Sequence, residues 1–261
     1  LILCAHELGG YKKQHIDVAA VIELFHMATL LHDDVVDGST LRRGHQTANL
    51  VWNSETSVLI GDFLYSRTFR IIVELKNHRV LDAFSKATHY ISEGEILQIV
   101  NCHNPDTTTE FYYDIIQRKT AKLFEVAAEL GALFATDSEE NITAMRDYGL
   151  SLGLAYQLID DALDYGGQPE LTGKNVGQDI ANGKTTLPLI FAMGKCKPAS
   201  LTIIRNAIQK GSTERLDDIL EIIESTDAIK YTADAARHHA RQAKAALSRL
   251  PSSPYRKALE D

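Results

Sequence analysis

The 261-residue sequence predicts an all-α fold. Three observations lead to it. Apolar side chains recur at three-and-four spacing in one long segment after another, strand-like alternation is sustained nowhere, and Gly, Pro and Asn/Asp/Ser clusters punctuate the segments. With 44% hydrophobic residues the chain can bury a substantial core, and its length suits a single domain over 1–261.

The opening LILCAHELGGYKKQ reads as a helix entered partway, without the basic leader and cleavage site of a secretory signal. The start at Leu1 and the end at Asp261 are both abrupt, so residues of the natural chain are expected beyond each. Residues 18–33 place Val21, Leu24, Phe25, Ala28 and Leu31 on one helical stripe. The same pattern predicts helices over 57–75, 79–103, 110–134, 139–165, 185–196, 199–210, 213–224 and 227–249. GSTLRRGHQ, HNPDTTT, ATDSEEN, CKPAS and QKGST read as loops, and 166–183 is long enough to suggest a working loop. The amphipathic DAARHHARQAKAALSRL reads as a packed outer helix, and no run of about 18 uninterrupted apolar residues occurs.

A formal net charge of -8 argues against nucleic-acid binding, which needs a clustered basic surface. Any bound anion therefore requires local cations. Cys4, Cys102 and Cys196 are odd in number and widely spaced, which predicts a reducing compartment, the cytoplasm.

One local pattern occurs twice. LLHDDVVD (30–37) and QLIDDALDY (157–165) both run Asp-Asp, two residues, Asp. Residues four apart share a helix face, so Asp33 projects with Asp37 and Asp160 with Asp164, while Asp34 and Asp161 turn about 100° away. Like charges at this spacing, flanked by apolar residues, cost stability unless a cation neutralises them. Magnesium takes a few carboxylate oxygens and fills its other positions with water or phosphate oxygens, which suits two such claws facing each other across a cavity.

Basic residues follow both motifs. Arg42 and Arg43 lie just past the first, Lys119 and Thr120 open QRKTAKLFEVAA, and Lys174 and Lys184 frame GKNVGQDIANGKTTLPL. Cations beside metal-binding carboxylates imply a polyanionic ligand, and a mixture of Arg forks and mobile Lys charges suits a diphosphate whose charge grows as it leaves. Gly173 and Gly177 would let backbone approach an anion, and Asp179 could reach a metal-bound water; the segment is not a Walker loop.

These residues resemble the trans-isoprenyl diphosphate synthases, or polyprenyl synthetases, from end to end of the chain. DDVVD with RRG resembles the family's first aspartate-rich motif and QLIDDALD its second, with GDFLYSR, EGEILQ, RKTAKLF and GKNVGQDIANGKTTLPL in the family's order. The pattern is most similar to the long-chain bacterial branch. The resemblance implies about ten helices around a deep central cavity, a homodimer, and a prenyltransferase that adds isopentenyl diphosphate to an allylic diphosphate such as farnesyl diphosphate. An octaprenyl product for quinone side chains is implied, with transient membrane contact for its release. Asp33, Asp34 and Asp37 would hold two of three Mg²⁺ ions, and Asp160 and Asp161 the third, with Asp164 behind them. Arg42, Lys119, Lys184 and, from a closing loop, Lys174 would steady the allylic diphosphate. Arg43 would bind the second diphosphate, Thr120 and Gln157 would lie near the reacting carbons, and Gln98 and Asp179 are secondary candidates. The family's GGKxxR segment would fall upstream of LILCAHELGG, outside this sequence.

Product length is expected to depend on the helix face above the first motif, where Thr29 and Ala28 are small and would leave a deep tunnel. Phe25, Leu123 and Phe124 are the bulky candidates for its floor, although each also reads as a core residue. His238 with His239, and Cys102 with His103, are adjacent pairs that point to different helix faces and make poor metal ligands. His32 is expected to pack or hydrogen-bond behind the aspartates, Tyr112 and Tyr113 read as helix-packing residues, and Trp52 carries no assignment. A shorter-chain synthase is an alternative. A terpene cyclase would share the fold and first motif but usually carries an Asn/Ser/Glu second motif. A non-catalytic synthase subunit would usually have damaged aspartates, whereas here both sets are intact.

Overall fold

The computed structural model describes residues 1–42, 44–167 and 176–261. Among these, α1 (Ile2–Glu7), α2 (Gln14–Val36), α3 (Ala48–Val51), α4 (Ser54–Glu74), α5 (His78–Asn101) and α6 (Thr109–Ile116) lead into a π-helical turn (Gln117–Ala121). After it come α7 (Lys122–Leu133), α8 (Glu139–Gly166), α9 (Gln178–Ala181), α10 (Leu187–Lys195), α11 (Pro198–Lys210), α12 (Leu216–Ser225), α13 (Ala228–Leu247) and α14 (Pro254–Glu260). The described β-structure is a two-residue antiparallel ladder, β1 (Leu41–Arg42) with β2 (His45–Gln46).

The long helices follow the apolar periodicity, and their ends follow capping chemistry. Asn53 accepts the Thr56 amide at 2.7 Å and starts α4, Thr108 accepts the Phe111 amide at 3.2 Å and starts α6, and Pro188 and Pro198 sit in the first turns of α10 and α11. Gly211, at φ 59°, closes α11 in the left-handed conformation. The segment GSTLRRGHQ, expected as plain loop, contains the small hairpin. Within 166–183, expected as loop, the structure describes the short helix α9, while 168–175, with Lys174, lie outside the described residues.

The chain forms two compact units, each assembled from separated stretches. The first comprises Leu1–Thr88, Leu123–Gly149 and Ala243–Asp261. Its core includes Val18, Val21, Phe25, Ala28, Ile72, Phe84, Leu130, Ile142 and Met145. Helix α2 is long and apolar enough, at mean hydropathy 1.2, to cross a membrane by composition alone. It packs along α4 and buries Val18, Val21, Phe25 and Ala28. The close approach needs Gly61, where an added Cβ would lie 2.2 Å from the His32 ring. His32 Nε2 is also 3.1 Å from the Val58 carbonyl oxygen, so this imidazole braces α2 just before its aspartates, as expected of it.

The second unit comprises His89–Lys122 and Leu150–Gln242. One cluster joins Tyr112, Ile116, Ala121, Leu154, Leu158, Leu187 and Ala236, and another is built on Ile180, Leu189, Ile204, Ile208, Ile219 and Ile223. At roughly 1.5–3 kcal/mol for each fully buried large aliphatic side chain, these clusters hold the ends of α6 and α8 where the polar residues described next must meet.

Candidate active site

The first motif lies at the C-terminal end of α2, with Asp37 as its C-cap and no basic residue in the last turn. Carboxylates there meet the negative end of the helix dipole, so helix stability alone does not account for them. Asp33 and Asp37 are half-buried and one turn apart, with the Asp37 amide donating to the Asp33 carbonyl at 2.8 Å. Asp34 turns the other way, is 4% exposed, and accepts Arg42 Nε at 3.0 Å on both oxygens and Nη2 at 2.7 Å on Oδ1. That bond raises the Arg42 guanidinium further above its ordinary range. Asn49 donates to the Asp34 and Ser39 carbonyls at 3.2 and 3.1 Å and ties the hairpin to the helix end. The structure thus places Arg42 on Asp34, the second aspartate. Arg43 lies outside the described residues.

The same unit holds the residues expected to set product length. Ala28 is 1% exposed, Thr29 is half-buried and donates its hydroxyl to the His26 carbonyl at 2.8 Å, and Leu123 and Phe124 are half-buried on α7. Phe25 belongs to an aromatic cluster, with ring centroids 5.7 Å from Tyr65 and 5.6 Å from Phe84.

In the second unit, Lys119 and Thr120 stand on the π-helical turn, a distortion that often marks functional positions. Lys119 Nζ donates to Glu95 Oε2 at 2.6 Å and Gln98 Oε1 at 2.7 Å. Arg118 donates to Glu93 at 2.7 Å and Asp114 at 2.8 Å. Between the two glutamates, Gly94 brings α5 against the turn, since an added Cβ would come within 2.6 Å of the Lys119 amide nitrogen. The EGEILQ segment therefore grips the turn at three consecutive residues.

From Thr120 a hydrogen-bonded run leads into the second motif. Thr120 Oγ1 donates to Gln157 Oε1 at 2.8 Å, and Gln157 Nε2 donates to Asp161 Oδ1 at 2.7 Å. Tyr112 Oη donates to Asp161 Oδ2 at 2.5 Å. Asp161 is 3% exposed, and burial, opposed by these two donors and aided by Asp160 and Asp164, pushes its carboxyl up to about 7. Burial and the Asp161 charge raise the Tyr112 phenol well above its usual range, so it remains the donor. Asp160 is half-buried, and Asp164 is buried and accepts the Asp179 amide at 3.1 Å on its carboxylate. Burial and then Asp164 and Asp161 raise Asp179, and Lys184, whose amide donates to the Asp179 carbonyl at 2.8 Å, partly offsets them.

Among the described residues no three His, Cys, Asp or Glu side chains converge into a ready-made metal cage. Asp34 is turned to Arg42 and Asp161 to Tyr112 and Gln157. The donor set still fits magnesium. All six motif donors are hard carboxylate oxygens, and this ion commonly takes one or two carboxylates and completes its shell with water and substrate phosphate. The buried Asp161 and Asp164 and the half-buried Asp179 form a local excess of negative charge, in which Asp164 raises the proton affinity of the other two, and a divalent cation would relieve it.

Two contributors lie outside the residues that the sequence singles out: Glu95 sits within the EGEILQ segment, and Tyr112 reads as a helix-packing residue. A polar-tipped aromatic on an otherwise apolar face, between Ile115 and Ile116 and the start of α6, was the available signal that a buried partner was needed.

The family model for polyprenyl synthetase matches residues 1–225. The chain belongs to the polyprenyl synthetase family. It is 44% identical over 259 residues to octaprenyl diphosphate synthase of Escherichia coli K12, a match that covers 99% of this chain and 80% of that protein. It is 43% identical to the all-trans-nonaprenyl-diphosphate synthase (geranyl-diphosphate specific) of Rhodobacter capsulatus, with 99% and 79% covered. A crystal structure of a Caulobacter crescentus polyprenyl synthase complexed with calcium and isoprenyl diphosphate matches at TM-score 0.94 and 43% identity, covering 99% of this chain and 79% of that one. The all-α architecture expected from the sequence is thus the polyprenyl synthetase fold.

Proposed function

We propose that this chain is a prenyltransferase that condenses isopentenyl diphosphate with an allylic diphosphate, repeatedly and in trans, to a long-chain polyprenyl diphosphate. The observation that carries the reading is the run Thr120–Gln157–Asp161, which links a residue suited to the reacting carbons to a buried carboxylate of the second motif. Identity of 43–44% to long-chain synthases over 99% of this chain supports the same reading.

Each residue then has a task. Asp33 and Asp37, with Asp34 beside them, would hold two Mg²⁺ ions on the allylic diphosphate, and Asp160 and Asp161 would hold a third. When bound, these ions supply the positive charge that makes diphosphate a leaving group. Lys119, Lys184 and Arg42, with Lys174, neutralise the charge that grows on the departing oxygen. Glu95 and Gln98 hold the Lys119 ammonium at one place, so little reorganisation is needed as that charge develops. Thr120 and Gln157 flank the allylic carbon, where the double bond of isopentenyl diphosphate attacks as the carbon–oxygen bond breaks. A proton then leaves the new allylic unit to the released diphosphate, so no tuned histidine base is required. Arg43 takes the second diphosphate.

The small pair Ala28 and Thr29 supports an octaprenyl product for quinone side chains, built from farnesyl diphosphate by a cytoplasmic homodimer that touches the membrane to release it. The test is incubation with labelled isopentenyl diphosphate, farnesyl diphosphate and Mg²⁺, read by product size. A long product whose size identifies the number of units is expected. Hydrocarbon released from allylic diphosphate alone would mean a cyclase, and no product from either would mean a subunit that needs a partner.

A further inference from the structure

We propose that Tyr112 is a positioning residue for the second aspartate motif. Its hydroxyl, together with the Gln157 amide, fixes the Asp161 carboxylate in the single orientation from which it takes up a divalent ion. The inference rests on the prenyltransferase reading and adds a residue to its machinery.

Geometry sets Tyr112 apart from a packed aromatic. It is 3% exposed, its ring lies in the cluster with Ile116, Leu154 and Leu158, and its hydroxyl ends on Asp161 Oδ2 at 2.5 Å. Among the described residues Tyr112 is the hydrogen-bond donor to that oxygen, and Gln157 holds the other one at 2.7 Å. A carboxylate has about four lone-pair directions, so one donor per oxygen leaves capacity for a metal while preventing rotation about the Cβ–Cγ bond. This is the logic of outer-shell partners, whose loss typically weakens metal affinity about 10–100-fold. The donors also come from two directions: Gln157 from one turn earlier on α8, and Tyr112 from the first turn of α6, anchored apart from α8 by its own amide bond to the Thr108 carbonyl at 3.0 Å. Loss of either donor would leave a carboxylate that swings about the other.

A packing role alone predicts something different. Tyr112→Phe keeps the ring, so a hydroxyl that served only to satisfy a buried group would cost thermal stability and leave ion binding untouched. Neighbouring Tyr113 is half-buried, meets the Tyr112 ring at 5.6 Å, and supplies the control through Tyr113→Phe.

The experiment titrates Mn²⁺ into the intact protein in the presence of inorganic diphosphate, with free ion followed by electron paramagnetic resonance, and separately measures the Mg²⁺ dependence of prenyl transfer. Tyr112→Phe is expected to weaken the Mn²⁺ affinity of one class of site by about 10-fold or more and to raise the half-saturating Mg²⁺ in parallel, with the KM for isopentenyl diphosphate unchanged. Tyr113→Phe should match the wild type in both. Wild-type Mn²⁺ affinity in a folded Tyr112→Phe protein overturns the proposal. If that variant does not fold, Gln157→Met, which removes the opposite donor, must show the same weakening, and unchanged affinity there overturns it equally. A wild-type protein that binds Mn²⁺ with diphosphate but transfers no prenyl group would overturn the prenyltransferase reading instead, and is distinguished by that activity control.

Discussion

Asp161→Asn should make the protein more stable and less active at once, and the gain should depend on pH. The folded carboxyl is held at about 7, against 3.8 for an ordinary aspartate, chiefly by burial. Between those values the unfolded chain is ionised and the folded one retains its proton, so stability falls as pH rises from about 4 to about 7 and stays low above. At 1.36 kcal/mol per pH unit the full penalty is roughly 4 kcal/mol. Asp160, Asp164 and Asp179 share the local charge, so the net gain expected from Asn is smaller, about 1–3 kcal/mol. The amide fits the site because the run is reversible: Tyr112 can donate to the Asn oxygen, Gln157 can turn to accept from its nitrogen, and the Thr120 hydroxyl can accept instead of donate. At roughly 2–4 °C per kcal/mol for a chain near this size, melting in EDTA at about pH 8 should rise by roughly 3–10 °C, and at about pH 5 by less than half as much. Prenyl transfer should fall by orders of magnitude. The assay is differential scanning calorimetry across pH in parallel with labelled-product formation. A variant less stable than the wild type at high pH, or a difference that does not shrink on acidification, would refute the reasoning.

Three further outcomes are expected. Gly94→Ala forces a Cβ to within 2.6 Å of the Lys119 amide nitrogen, so the π-helical turn must shift; kcat should drop at least about 10-fold with helix content by circular dichroism unchanged, and normal turnover would contradict the grip described for Glu93–Glu95. Asp34→Asn breaks a charge-assisted pair that is buried on the Asp34 side and should cost about 1–3 kcal/mol by thermal melting; wild-type melting would contradict the placement of Arg42. Ala28→Phe adds a ring at a position 1% exposed and should shorten the product while costing about 1–3 kcal/mol from overpacking, which reversed-phase chromatography and thermal melting read separately.

Apolar periodicity carried most of the helical order. The stripe through Val21, Phe25 and Ala28 became the buried side of α2, and the segment expected over 139–165 is α8 to within a residue or so. Periodicity could not reveal the π-helical turn, because one extra residue inside an otherwise regular helix leaves the apolar spacing on both sides intact. Nor could it show the two-residue ladder at Leu41–Gln46, which is too short for alternation. The paired DDxxD motifs were legible because like charges beside apolar residues conflict with the helix that carries them. What each aspartate holds was not, since Asp33 and Asp34 differ by about 100° of helix rotation and only folding decides which of them meets Arg42. Tyr112 and Glu95 were hidden for the same reason: their partners lie on other helices, and spacing along one helix says nothing about them.

The central claim, that the aspartate motifs bind divalent ions on a substrate diphosphate, is tested most directly by crystals grown with Mn²⁺ and an unreactive allylic thiodiphosphate, using anomalous scattering to locate the metal. Manganese should lie within about 2.0–2.3 Å of carboxylate oxygens from Asp33 and Asp37 and from Asp160 or Asp161, and of diphosphate oxygens. A bound diphosphate with no manganese at either motif would contradict the account.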